Sequence, residues 1–549
     1  MPLSDLPASV DLPTDAPTPG DVASAAPASS KFGLRFEIFV VLGILLALLM
    51  GALDQFVVLT ALPKILEEFG QPNSGTFVVT AFIITSTLGI PIFGKLSDLW
   101  SRRNVFLGGL AIFVVGSMLA GLSQTLPELI AFRAVQGFGS GGFFPVGIAI
   151  VAVSFPPKTR ARITGALSGV FGIATVAGPL FGAWIVGATT WRWVFYVNLP
   201  IGIVGGALIV ATLGPLRPAI VRRFDLVGAG LLAGWVGALE FALIQVTDSG
   251  WSWTDPRVLG LLGTSAIVAA VFVYWEVYRA REPLLPLRLL RDRVVGVSGA
   301  TTFLVGCVFF PLATFISLVV GFALTPPGAS AVDTVRDVLY ALIIPLVFGA
   351  AIGGQLLPVV SYRTQVVLGL VIAAVGLFGL RMISATTPTW VFYGLLPVGG
   401  VILPLIPLGF GVGLTFPVFL LAVQNEVQSK DVGEASGLVQ FLQSLGGSVG
   451  LSVLASYAAA RYSDLSPAPM PACYAPNPSP AVCSPYFGAL AEAQVSAYDS
   501  VFTTMLVIVG AAILIALLFR GRLIRGAPPH ATEPLDAADG GTGVGRPAP

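Results

Sequence analysis

The chain has 549 residues, of which 55% are hydrophobic and only 10% charged, with a formal net charge of +1 and a mean hydropathy of +0.89. Soluble domains carry roughly 25% charged residues, so the charges here are too few to clothe a water-facing surface, which excludes a soluble enzyme and a disordered scaffold. Near-neutral net charge leaves no basic field for nucleic acid, and the single histidine, His530, lies in a polar tail, which argues against a His-ligated metal or His general base.

What remains is an all-α integral membrane protein. Residues 1–35 open with a Pro/Ala/Ser/Asp-rich stretch and read as a disordered cytoplasmic tail, not a signal peptide; residues 521–549 read the same way. Between them lie fourteen apolar runs: 36–62, 75–95, 104–123, 128–154, 163–187, 194–213, 226–247, 257–278, 294–323, 334–358, 365–384, 396–424, 433–460 and 500–520. A spanning helix needs about 20 apolar residues, and none of the runs alternates as a barrel strand would.

Orientation follows from the basic residues, which favour cytoplasmic loops. With the N-terminus inside, twenty-two of the 29 Lys and Arg residues fall on the inner side, five outside (Lys64, Arg192, Arg257, Arg336 and Arg461) and two, Arg133 and Arg381, within spans. Both termini are thus expected in the cytoplasm of a multi-pass protein of the cell membrane. The stretch 280–293 alternates Leu with Arg; it lies along the inner interface or forms an ordinary positive loop. Cys473 and Cys483 fall in the longest inter-helix loop, 461–499, on the oxidising side. A disulfide between them is expected, with two free thiols as the alternative, while Cys307 lies in a span and reads as packing.

Polar groups inside a bilayer are costly, so each needs a reason. Asp54 lies about eight residues from the outer end of span 1 and Arg133 about five from that of span 4, so the two sit at similar depth and can pair. A carboxylate beside arginine keeps its charge; moved to an apolar setting it takes a proton, so the pair is a candidate proton-coupling device, or else a static tie between helices. Glu240 in span 7 is a second candidate for coupling, the alternative being that it faces an aqueous vestibule. Arg381 reads as snorkelling to the outer interface.

After span 2 the chain reads Gly94-Lys95-Leu96-Ser97-Asp98-Leu99-Trp100-Ser101-Arg102-Arg103. Gly94 permits a sharp exit from the helix, and Asp98 can receive Arg102 one turn on, which would make a cytoplasmic gate of Gly94, Asp98, Arg102 and Arg103. The bland alternative is a turn rich in positive charge. Span 5 carries Gly165, Gly169, Gly172, Gly178, Pro179 and Gly182, the pattern of a helix that approaches and rocks against a neighbour. The run Gln136 to Gly142 in span 4 is similar.

These segments together resemble the major facilitator superfamily, and within it the fourteen-helix drug:proton antiporters (the EmrB/QacA-like group). Leu53-Asp54 through Ala61-Leu62-Pro63 resembles the helix 1 motif, and Gly94 to Arg103 the loop after helix 2. Arg133 with Gln136-Gly137 resembles the helix 4 motif linked to proton coupling, and Gly178-Pro179 with Gly182 the helix 5 antiporter motif. The stretch Trp191 to Gly202 matches the entry to helix 6, and Glu282-Pro283-Leu284-Leu285-Pro286-Leu287 the loop before helix 9. Ser101, Ala174 and Ala183 stand where the family carries glycine. The resemblance implies two six-helix bundles, here 36–213 and 294–520, with two extra helices and a cytoplasmic linker at 214–293 between them.

It also implies a carrier, not an enzyme, and no cofactor beyond a proton gradient. The expected activity is proton-coupled efflux of lipophilic, cationic small molecules by alternating access. The partners are then a small-molecule substrate, protons and the bilayer, with no nucleic acid, and the chain is expected to work as a monomer. Gln55, Phe56, Gln136, Phe144, Gln440 and Gln443 are the candidates to line a central cavity. Export of lipids is the alternative, since Gly51-Ala52-Leu53-Asp54 also resembles a mycobacterial branch implicated in triacylglyceride export. A sensor or anchor would need a soluble domain, and an enzyme a nucleophile or metal cluster in the spans; the sequence offers neither.

Overall fold

The structure, a computed structural model, describes residues 34–71, 75–155, 177–214, 224–248, 251–322, 330–357, 359–382, 401–427, 432–468 and 480–519, with single positions at 159, 163, 174 and 470. Every element among these residues is helical. With no water in the hydrocarbon to satisfy backbone amides and carbonyls, a helix satisfies them within the segment, and the long apolar runs have no other stable form.

The first half comprises α1 (Leu34–Phe69), α2 (Gly75–Leu99) and α3 (Arg102–Leu122). Next is α4, which runs Leu126–Ser140, breaks at Gly141-Gly142 and resumes as Phe143–Ser154. The described part of the fifth span, α5, is Ala177–Ala188, followed by α6, Trp193–Thr212. The extra pair is α7 (Leu226–Asp248) and α8 (Pro256–Arg279). The second half contains α9 (Arg293–Phe322), α10 (Ala331–Leu356), α11 (Tyr362–Leu380), α12 (Ile402–Glu426), α13 (Val432–Leu465) and α14 (Pro480–Ala516). Thirteen of these helices are long and apolar enough to cross a membrane; α5 is the short exception, because Gly165, Gly169 and Gly172 lie outside the described residues.

Packing follows the glycines. The most extensive pairing is that of α12 with α10, and α12 also packs closely on α11. A Cβ at Gly409 would collide with the Leu342 carbonyl, and one at Gly413 with that of Leu346, so these positions let α12 seat directly on the α10 backbone. Large apolar side chains on the outer surface, such as Trp184, Phe348, Val375 and Val507, face the lipid. A main apolar core spans both halves of the molecule.

Two expectations change. The stretch 461–499 is mostly helix: α13 continues through Leu465 and α14 starts at Pro480, leaving 466–479 as the connection. Ala, Glu and Gln make residues 480–499 good helix formers but too polar to register as a span. At 34 and 37 residues, α13 and α14 are each about 50 Å long or more, against a hydrocarbon core of about 30 Å. Cys483 is disulfide-bonded, Cys307 is a buried free thiol, and Cys473 lies outside the described residues. The second change is at Gly94, which lies inside α2 and not at its exit. The helix runs on to Leu99, with Ser97 Oγ donating to the Gly94 carbonyl at 2.7 Å.

Replacing Gly413 with leucine is expected to force α12 off α10 and to destabilise the protein by about 1–3 kcal/mol. Thermal unfolding in detergent micelles measures it, and a midpoint equal to wild type would contradict the close approach described.

Candidate functional site

Asp54 lies on α1, 2% exposed, and among the described residues its side-chain hydrogen bonds come from within the first six helices. From α4, Arg133 donates through Nη1 to Asp54 Oδ2 in a short ion pair, and to Gln136 Oε1 at 2.8 Å; its Nε donates to the Val78 carbonyl of α2 at 3.3 Å. Gln136 is one turn from Arg133 on the same face, and its Nε2 donates to Asp54 Oδ1 at 2.8 Å. Asn198 of α6 donates to the same oxygen at 3.0 Å. Ser117 of α3 accepts from both amides, at 3.2 Å from Gln136 and 2.9 Å from Asn198, and passes its own proton to the Phe195 carbonyl at 2.8 Å. The Arg133 guanidinium also stacks 4.1 Å from the Phe82 ring centroid.

All five polar side chains are buried. Arginine balances the carboxylate's charge, two amides fill its other oxygen, and serine closes the circuit. The ring draws its groups from α1, α3, α4 and α6, with α2 supplying Val78 and Phe82. Close helix approach makes this possible: a Cβ at Gly116 would stand 2.5 Å from the Gln136 amide nitrogen. On the other side of α1, a Cβ at Gly178 would stand 2.5 Å from Phe56 Cβ, and one at Gly182 2.9 Å from the Val57 carbonyl. Gly178 and Gly182, with buried Pro179 between them, therefore seat α5 on the turn of α1 that carries Asp54.

The expected Asp54–Arg133 pair is thus present in the structure. Gln136, expected in a cavity wall, is instead drawn into this ring, because its amide alone can bridge the arginine and the second carboxylate oxygen. Asn198 and Ser117 were not anticipated. Asn198 stood inside the Trp191–Gly202 motif, and its polarity within an apolar run was the available signal. Phe56 is buried, while Gln55, Phe144, Gln440 and Gln443 are half-buried. A cavity of 490 Å³ lies elsewhere, between the ends of α1, α5, α9 and α10, where Lys64, Glu67 and Asp333 meet Pro63, Val186 and Gly321; none of the six cavity candidates lines it.

Glu240 of α7 is buried at 2% exposure. Its Oε1 accepts from Ser448 of α13 at 2.6 Å and its Oε2 from Ser452 in a short hydrogen bond. At the α2 end the Asp98 side chain lies outside the described residues, so the Asp98–Arg102 contact does too. Arg103 reaches the Val210 carbonyl at the end of α6, 3.3 Å away. The described charge link is Lys95, largely buried, whose Nζ lies 3.0 Å from Glu282 Oε2. It joins α2 to the linker after α8, so two of the sequence motifs meet. Glu276 accepts from the Leu284 and Leu285 amides at 3.3 and 3.2 Å, folding the linker inward so that both leucines are buried and not turned to lipid.

The Trp191-Arg192 pair acts at the other end. Glu68 of α1 accepts from Trp191 Nε1 at 2.6 Å and from Arg192 Nη1 at 2.7 Å, and Arg192 also donates to the Ser123 carbonyl at 3.2 Å, tying α1 and α3 to the start of α6. Arg381, expected to snorkel, is partly exposed and lies 3.6 Å from Asp499 of α14.

The sequence model of the Major Facilitator Superfamily matches residues 44–451. The chain is 31% identical over 424 residues to the multidrug transporter protein MdtP of Bacillus subtilis, covering 77% of this chain and 75% of that one. It is 32% identical over 434 residues to multidrug resistance protein 3 of the same organism, covering 79% and 80%. Among solved structures it resembles the peptide transporter POT in complex with sulfate, with a TM-score of 0.58 at 15% identity over 91% of this chain and 99% of that one. A bacterial homolog of the human lysosomal transporter Spinster, inward-facing and unoccupied, gives a TM-score of 0.58 at 14% identity over 89% and 98%. At these identities the structural likeness speaks for the fold.

Two outcomes test the site. Arg133→Leu removes the one cation paired with Asp54 among the described residues and leaves it only the Gln136 and Asn198 amides, so it is expected to destabilise the protein by about 3–5 kcal/mol; adding Asp54→Asn should recover part of the loss in thermal unfolding. Lys95→Glu should weaken transport, and the charge swap Lys95→Glu with Glu282→Lys should restore it; a swap no better than the single variant would refute the link.

Proposed function

The chain belongs to the Major Facilitator Superfamily, and from that premise we propose that it is a proton-coupled exporter of lipophilic, cationic small molecules. It is a multi-pass membrane transporter, and the distribution of Lys and Arg supports a cytoplasmic position for both termini. The observation that carries the reading is a carboxylate, Asp54, buried against arginine and two amides on helices that meet at glycines.

A carboxylate so placed has two states of different partnership. Paired with Arg133 it is charged and binds α1 to α4 and α6. A proton on Asp54 cancels the attraction, frees Arg133, and loosens the ring. Helix α5, seated on the same turn of α1 through Gly178 and Gly182, transmits any shift of α1 to the rest of the first bundle. Proton entry from outside then drives the carrier between its two access states, and the substrate released outside is replaced by the proton taken in. The names of the curated relatives support drug-like substrates for this chain, and the sparse acids in its spans suit a cation. The monomer, with its two bundles in one chain, suffices for this cycle.

Reconstitution in lipid vesicles with an imposed pH gradient tests the reading, with tetraphenylphosphonium as the lipophilic cation. Wild type should move the cation against its gradient, and Asp54→Asn should fall to the level of protein-free vesicles. Equal flux in both would sink the coupling role of Asp54. Absence of flux in either, with transfer of a fluorescent lipid instead, would replace the drug reading with lipid export.

A further inference from the structure

Helix α13 carries serines at every fourth position, Ser444, Ser448, Ser452 and Ser456, which places them in one row on one face. All four are buried, and each has a partner on a neighbouring helix. Ser444 Oγ lies 2.5 Å from Thr87 Oγ1 of α2, Ser448 and Ser452 donate to Glu240 of α7, and Ser456 donates to the Leu243 carbonyl of α7 at 3.1 Å. Around the row lies a second apolar core, distinct from the main one. It gathers Ile84 and Ile90 of α2, Leu232 and Val236 of α7, and Leu438 and Phe441 of α13. Helix α7 therefore sits astride the junction where the first half of the molecule meets the second.

Glu240 is the acid at the centre of that seam. Among the described residues it accepts only from hydroxyls. The charged groups on the elements packed against α7 lie toward their ends: Lys95 and Asp98 on α2, Arg257, Glu276 and Arg279 on α8, and Glu434, Arg461 and Asp464 on α13. Glu282 and Arg288 belong to the linker, and Asp248 closes α7 itself. Among the described residues none of these is hydrogen-bonded or ion-paired to Glu240. The contrast with Asp54 is direct: one buried carboxylate has an arginine, the other has two serines.

An ionised carboxylate held by hydroxyls alone leaves a full charge in hydrocarbon. The neutral acid fits the same cradle, since its O–H donates to one serine oxygen while its carbonyl oxygen accepts from the other serine. We propose that Glu240 is a second proton-binding site, filled while the α7–α13 seam is closed and emptied to water when movement of the two halves opens it. The proposal rests on the proton-coupled reading above, but its residue and its seam are separate from the Asp54 ring. The step is a plain proton transfer: the O–H bond of the acid breaks, the proton passes to water, and the carboxylate left behind is hydrated. Glu240 stands eight residues before the end of α7 at Asp248, or about 12 Å along the axis from the end that the basic residues assign to the outside.

The test reads the proton and does not depend on a known substrate. Infrared spectra of the full-length protein in lipid, taken through a pH series, resolve the C=O stretch of a protonated carboxyl group. Wild type and Asp54→Asn should both show such a band at neutral pH, and Glu240→Gln should lose it. Ser448→Ala with Ser452→Ala should shift its frequency, which serves as the readout should Glu240→Gln fold poorly. Transfer to D2O should shift the band within the lifetime of the preparation. A band that persists unchanged in Glu240→Gln, or is insensitive to the serine changes, overturns the proposal; so does a band that never exchanges in D2O, since that describes a static clip. A wild type that shows the exchanging band yet moves no cation under a pH gradient refutes the cation-export reading and leaves the proton site standing.

Discussion

A charge kept inside hydrocarbon must bring its own solvation, and Asp54 does so with protein. Its two oxygens take an arginine and two amides, and those groups come from α4 and α6 while a serine on α3 links the amides. The consequence reaches beyond the carboxylate. Side chains this short meet only if the helices nearly touch, so the ring dictates small residues around it. Gly116 lies against Gln136 of the ring, whereas Gly178, on the other side of α1, lies against Phe56 and serves the packing of α5. The glycine-rich look of the first bundle is thus a demand of one buried acid as well as a packing habit. Hydrophobic matching could tolerate a helix turned by a few degrees; the ring could not, because each of its members has a fixed partner.

Most of the architecture was legible because the bilayer reduces folding to a question about length and polarity. Long apolar runs separated by charges mark helices with little ambiguity, and the scarcity of charge made Asp54 and Arg133 visible as a pair. What composition could not reveal was partnership. Asn198 and Ser117 are common residues whose significance lies in where α6 and α3 bring them. Gln136 shows the same blindness in reverse, since an amide beside an arginine reads equally as a cavity wall. Helix ends were misjudged where polarity and helix propensity part company. Residues 480–499 are polar enough to resemble a loop but are built from helix formers, and Gly94 lies in a helix held through its glycine by Ser97. Lys95 and Glu282 are 187 residues apart in the chain, and only the fold shows that they meet.

The pair α7 and α8 is not an inert insertion. Helix α8 packs chiefly on α7, and α7 packs on α13 and α2, so the pair reaches the rest of the molecule at the boundary between its halves. Its contacts differ in kind along that boundary. Hydrogen bonds between serine hydroxyls and the Glu240 carboxyl group hold α7 to α13, while the Lys95–Glu282 ion pair and the buried leucines of the linker hold the end of α2 to the segment after α8. Both kinds depend on orientation or charge more than apolar area does, so they fix the alignment of α7 more closely than apolar packing alone would.

The length of α13 and α14 has a mechanical consequence. Were the two halves to rock against each other, α13 and α14, each longer than the hydrocarbon core is thick and with a disulfide-bonded Cys483 near the start of α14, would form a stiff arm on the second half. A tilt of a few degrees about the membrane centre displaces the far end of such an arm several times more than it displaces the helices beside Asp54. The end of α13 at Leu465, which is exposed, would then be a pointer that carries outward a motion whose origin is buried.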